Sequence, residues 1–126
     1  MSLVVGAAVV REGRVLAAQR ATPEVYRGLW EFPGGKVEVG ESEQDALIRE
    51  CHEELGCELA LDEILGEVGV LGGSATLRVW LATLVAGEPT PVEHLALRWL
   101  SKDELYEVEW IPADLPLVEL LLPRLS

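Results

Sequence analysis

Residues 42–57 constrain the fold of this chain more than any other stretch. Ser42 can cap a helix with Asp45 three residues on, and Gly56 supplies a stop, so the spacing predicts a helix over Ser42–Leu55. Leu47, Cys51 and Leu55 recur at i, i+4 and i+8 and form an apolar stripe. Glu50, Glu53 and Glu54 fall at i, i+3 and i+4 on the neighbouring face. Burying the stripe therefore brings three carboxylates to the edge of a core. Like charges so spaced cost about a few tenths of a kcal/mol each. Hard divalent cations with oxygen ligands offset that cost, and a solvated acidic face is the plainer alternative.

The rest of the chain supplies a sheet for that helix. Leu3–Val10 and Arg14–Gln19 read as a hairpin about Glu12-Gly13, and Trp30–Phe32 is a short apolar segment ending in a turn at Pro33-Gly34-Gly35. Leu59–Val70 and Thr76–Val85 read as strands either side of Gly72-Gly73, and Gly87-Glu88-Pro89 breaks the chain. Ala96–Leu100 is a further strand, followed by a helical turn opened by Ser101. The apolar density of Ala113–Leu125 predicts one closing helix, with Pro116 tolerated in its first turn. Interleaved strands and helices give the α/β class, a mixed β-sheet sandwiched between α-helices. A length of 126 residues fits one domain spanning 1–126 with one core.

The formal net charge of -12 argues against broad contact with a DNA or RNA backbone, which needs Lys and Arg. A small polyphosphate is compatible with such a chain if metal ions screen the repulsion. Cys51 and Cys57 lie too close together in one helix and its exit to frame a disulfide fold, and read as reduced core thiols. Met1-Ser2-Leu3 does not open a secretory signal, and no segment is long enough to span a membrane. The expected location is cytoplasmic, with no membrane partner.

Gly35, Glu41, Arg49, Glu50, Glu53, Glu54 and Gly56 match, position for position, the pattern Gly-x5-Glu-x7-Arg-Glu-U-x-Glu-Glu-x-Gly-U. Seven specified residues at about one in fifteen make a chance match on the order of one in 10⁸. On this pattern the chain resembles the Nudix hydrolases. The two U positions, usually Ile, Leu or Val, are Cys51 and Cys57 here, which is expected to weaken packing slightly without changing chemistry. The segment Leu29–Lys36 and the spacings from Glu93 to Trp99 and Trp99 to Asp114 are similar to the MutT branch. Pro112–Leu117 most resembles the branch acting on CTP and on damaged or modified pyrimidine triphosphates.

The resemblance implies a Nudix fold and Mg²⁺-dependent hydrolysis, with Mn²⁺ able to replace Mg²⁺. The implied substrates are oxidised or modified (deoxy)nucleoside triphosphates, 8-oxo-dGTP or CTP/dCTP derivatives, cleaved to monophosphate and pyrophosphate. The implied role is nucleotide-pool sanitising, with no nucleic-acid polymer as partner. Glu50, Glu53 and Glu54 would hold the metal with the carbonyl of Gly34, and Glu93 would join the cluster or position water. The box glutamates are also candidates for activating that water, with Glu53 first among them. Arg49 would bridge to Glu41 and orient the helix, and Gly35, Glu41 and Gly56 would serve structure.

On the substrate side the resemblance implies Arg20, Glu31, Phe32, Gly34, Gly35 and Asp114. Arg20 reads equally as a phosphate contact or a surface arginine, and Phe32 as a pocket wall or a core residue. Asp114 would accept from a base edge rich in donors, cytosine N4 or guanine N1 and N2, or is simply an acid at a helix N-terminus. His52 is expected at the surface, His94 either approaches the nucleotide or, as is commoner for a loop histidine, faces solvent, and Trp110 reads as lid or packing. ADP-ribose or a dinucleoside polyphosphate is the alternative substrate. A non-catalytic Nudix-fold binding domain is a third reading, although such domains commonly lose box glutamates and every one is present here.

Overall fold

Strand β1 (Ser2–Arg11) organises the molecule because three neighbours share its length. Its residues Ser2–Val9 pair in parallel with β6 (Ala75–Ala86), Val4–Gly6 pair antiparallel with β4 (Gly34–Lys36), and Val10 and Arg11 pair with β2 (Arg14–Gln19). On β6 lies β5 (Glu58–Val70), and on β2 lie β3 (Trp30–Glu31) and β7 (Ala96–Leu100), all antiparallel. The computed structural model describes residues 2–125, and Met1 and Ser126, the ends of the expected domain, lie outside the described residues. Among the described residues these strands make one mixed sheet.

The hairpin turns where expected. Glu12 and Gly13 both have positive φ, 52° and 76°, the backbone of a turn whose twist matches that of its strands.

Side chains alternate along the strands with period two, so each sheet face gathers its own core. Val5, Ala7, Val9 and Leu16 pack with Leu47, Cys51 and Leu55 of helix α1 (Glu43–Leu55). Ala8, Val15, Val79 and Leu81 pack with Leu117, Val118 and Leu121 of helix α2 (Leu115–Leu121). The expected sandwich, a mixed sheet between helices, is what the chain forms.

Two expectations need correction. Pro33-Gly34-Gly35 does not simply turn, because Gly34–Lys36 form strand β4 against β1. The ladder is flanked by Ala7 N–H donating to Pro33 O at 2.8 Å and Val37 N–H donating to Leu3 O at 3.0 Å. A Cβ on Gly34 would run into the Val5 carbonyl, so the glycine serves close backbone approach as well as the change of direction. Second, Ala113–Leu125 is not one helix. It is a 3₁₀ turn at Pro112–Asp114, then α2, then a 3₁₀ turn at Leu122–Arg124. Pro123 has no N–H to return to Glu119, and Leu122 N–H takes that carbonyl in the tighter i−3 pattern. No described helix is long and apolar enough to cross a membrane.

Candidate active site

Helix α1 is fixed at both ends by the residues expected to fix it. Ser42 Oγ accepts from Asp45 N–H at 3.1 Å, and Gly56 at φ 68° returns its N–H to His52 O at 2.9 Å. Leu47, Cys51 and Leu55 are fully buried, each leucine contributing about 1.5–3 kcal/mol by leaving water. With that stripe inward, the glutamates separate by depth. Glu54 is 6% exposed, Glu50 is half-buried, and Glu53 turns outward with 53% of its side chain exposed. Glu50 rests over Gly35, where a Cβ would stand 2.5 Å from its carboxyl carbon. Cys57 is buried beside Cys51, so both thiols sit in the core as read from sequence.

Arg49 ties the acidic face to the preceding loop. Its Nε and Nη2 donate to the two oxygens of Glu41 at 2.7 and 3.0 Å, while Nη1 reaches Glu50 at 3.1 Å and Glu53 at 3.4 Å. The paired contact and a backbone N–H from Glu38 hold the Glu41 carboxyl down at about 2.

The loop before β7 is sewn to the carboxyl end of α1. Val92 N–H donates to Glu54 O at 3.2 Å and Thr90 N–H to Leu55 O at 2.9 Å, satisfying carbonyls the helix leaves open. Leu95 N–H donates to Gln19 O at 2.9 Å, which ties the loop to the end of β2 as well. Glu93 and His94 are thereby held above the acidic face. His94 is not solvent-facing as expected, since its side chain is 5% exposed with Nε2 2.9 Å from Glu31 Oε2 and 3.7 Å from Glu54 Oε1. Glu31 also meets Arg20, whose Nη1 lies 3.1 Å from Oε1. Sequence reasoning passed over His94, and its one local signal was adjacency to Glu93.

Arg20, Thr22, Glu31, Gly34, Glu54, Glu93 and His94 enclose a polar cavity of about 120 Å³. Burial pushes the Glu54 carboxyl well above the ordinary carboxylate range, and Glu50, Glu31 and Glu93 reinforce the effect. So many carboxylates around one small space favour a bound proton or a cation.

A second, more apolar cavity of about 240 Å³ adjoins the first and shares Arg20, Glu31 and Gly34 with it. Phe32, Leu77, Ile111 and Asp114 are among its walls. Phe32 is 4% exposed and stacks obliquely on Trp110 at 5.1 Å, so it is at once a core residue and a pocket wall. Trp110 packs rather than lids, 3% exposed with Nε1 donating to Leu105 O at 2.7 Å. Trp30 N–H donates to Glu109 O, and Ile111 N–H to Trp30 O, which brings residues 109–114 alongside β3.

Asp114 does stand at the N-terminus of α2, as the plainer reading had it, but its side chain makes no cap hydrogen bond there. Its Oδ2 instead accepts the Phe32 N–H at 3.0 Å, across 82 residues of sequence. At 6% exposure, burial raises its pKa from 3.8 to about 7, moderated by the Phe32 N–H.

The chain has relatives along nearly its whole length. A NUDIX domain profile matches residues 2–121. A Mycobacterium tuberculosis protein provisionally named 8-oxo-dGTP diphosphatase 2 is 47% identical over 115 residues, 89% of this chain and 82% of that one. The CTP pyrophosphohydrolase of Escherichia coli is 42% identical over 118 residues, 92% of this chain and 87% of that one. The crystal structure of a MutT NUDIX hydrolase from Burkholderia pseudomallei superposes with a TM-score of 0.81 at 34% identity, covering 95% of this chain and 97% of that one. With its glutamates gathered on one helix face, and with these matches along nearly its whole length, the chain belongs to the Nudix family of hydrolases.

Proposed function

We propose that the chain is a Mg²⁺-dependent nucleoside triphosphate pyrophosphohydrolase of the cytoplasmic nucleotide pool. Its substrates are oxidised or modified triphosphates, 8-oxo-dGTP or CTP/dCTP derivatives, released as monophosphate and pyrophosphate. The observation that carries the reading is the pair of adjoining cavities with Arg20, Glu31 and Gly34 as common walls, one polar and acidic, one apolar and ending at Asp114. A nucleotide has the same two halves. The names of the relatives in Mycobacterium tuberculosis and Escherichia coli support the same substrate class.

In this reading Glu50, Glu53, Glu54, the Gly34 carbonyl and Glu93 hold the divalent cation. The donor set fits a hard ion, since buried Glu54 is surrounded by Glu31, Glu50 and Glu93. When bound, the cation supplies charge neutralisation for the phosphates and a lowered pKa for water. Arg49 keeps Glu50 aimed through Nη1, with its Nε and Nη2 committed to Glu41. Arg20 can exchange Glu31 for a phosphate oxygen, because its Nη1 already points into the wall common to both cavities. Phe32 flanks the base, and Asp114 reads its edge with Oδ1 while Oδ2 stays on Phe32 N–H. Phosphoryl transfer rests on positioning and electrostatics, so this equipment needs no covalent nucleophile.

The test is a substrate panel with Mg²⁺: common NTPs and dNTPs, 8-oxo-dGTP, 5-methyl-dCTP, 5-hydroxy-dCTP and ADP-ribose, with products separated by ion exchange. Monophosphate and pyrophosphate with highest kcat/KM on an oxoguanine or cytosine substrate is expected. Turnover of ADP-ribose alone would place the chain in another Nudix branch, and no turnover of any would favour a binding domain.

A further inference from the structure

His94 is one of two histidines in the chain, and it is the buried one. Among the described residues nothing hydrogen-bonds its Nδ1, which is inaccessible, so the ring is not oriented from behind. What orients it is Nε2, which faces Glu31 at 2.9 Å and Glu54 at 3.7 Å inside the polar cavity. One ligand atom from each of the three residues falls within 4.8 Å of the others. Ions bound at about 2.0–2.2 Å by nitrogen and oxygen hold neighbouring ligand atoms about 3.0–3.5 Å apart. The three side chains therefore need only small adjustments to close on one ion. Arg20 Nη1 lies nearer Oε1 of Glu31, at 3.1 Å against 3.4 Å to Oε2, while His94 Nε2 lies 2.9 Å from Oε2.

We infer that Glu31, Glu54 and His94 form a mixed nitrogen–oxygen cation site that selects a first-row transition ion over Mg²⁺. Mg²⁺ is a hard ion that keeps oxygen ligands and water, whereas imidazole suits the later first-row metals and is accepted by Mn²⁺. The site shares Glu54 with the proposed Mg²⁺ cluster and leaves Glu50 and Glu53 outside it. It does not depend on any nucleotide reaction, and it is tested on metal alone.

Mn²⁺ is bound to the protein carrying no histidine tag and no nucleotide, and pulsed EPR reads coupling to imidazole nitrogen. Coupling is expected in the wild type and in His52→Gln, and its absence in His94→Gln. His94→Gln should also weaken Mn²⁺ binding at least tenfold by titration while changing Mg²⁺ binding less than twofold. Near-UV circular dichroism checks that the variant is folded. Should His94→Gln fail to fold, His52→Gln decides alone, because His94 is then the one histidine left. A wild-type spectrum without nitrogen coupling, coupling that survives in folded His94→Gln, or no Mn²⁺ binding overturns the site. Each of those results leaves the substrate panel untouched, so this inference and the hydrolase reading fail separately.

Discussion

The carboxylate of Glu50 occupies the space a side chain on Gly35 would need: a Cβ there would stand 2.5 Å from Glu50 Cδ and Oε2. The glycine of the box is thus the seat of its first paired glutamate. Gly35→Ala should push that carboxylate aside and away from Arg49. The atoms that must yield are the far end of a flexible side chain, so the expected stability loss is about 1 kcal/mol or less. The expected loss in kcat is at least thirtyfold. A thermal melt and steady-state kinetics check the two together, and unchanged kcat would show that Glu50 works equally well from another position. Gly34→Ala provides the contrast, since its Cβ meets Val5 and Gly6 backbone and cannot be relieved by a rotamer.

Glu54→Gln should lower turnover at least 100-fold and leave the fold intact. Burial raises the Glu54 pKa, so the folded protein favours its neutral form. Its stability contribution is therefore present below the ordinary carboxylate pKa and lost as pH rises through the raised folded value. A neutral glutamine escapes that loss. Without metal at pH 8, Glu54→Gln should melt higher than the wild type. Added Mg²⁺ should stabilise the wild type much more than the variant. Near-normal turnover would remove Glu54 from the metal set.

Asp114→Asn separates the charge of this residue from its hydrogen bond. The asparagine oxygen can still accept the Phe32 N–H that Asp114 accepts at 3.0 Å. Because burial raises the Asp114 pKa from 3.8 to about 7, the wild type loses stability as pH rises between those values. Urea melts should show the two proteins alike below pH ~4, with the variant ahead by about 2–4 kcal/mol above pH ~7. Asparagine also presents a donor to the base, so the kcat/KM ratio of 8-oxo-dGTP to CTP should shift tenfold or more while Mg²⁺ affinity stays the same. Parallel pH profiles for the two proteins would show that Asp114 is ionised throughout.

Helix α1 was legible from sequence down to its caps, because everything that defines it lies within one stretch. Ser42 and Gly56 set its ends, and the Leu47-Cys51-Leu55 stripe set which side goes in, which left the glutamates at the core boundary. The β1–β2 hairpin was legible for the same local reason. Sequence did not reveal that Gly34–Lys36 would be a strand, since that depends on the bare backbone finding β1. Nor did it separate the two readings of Asp114, whose partner is 82 residues away, or find His94 buried. The His94 side chain is enclosed because Val92 and Leu95 are tied to the ends of α1 and β2. Local periodicity and caps fix an element and its faces. The burial and charge state of a loop side chain depend on what other segments bring against it, and only the packed fold decides that.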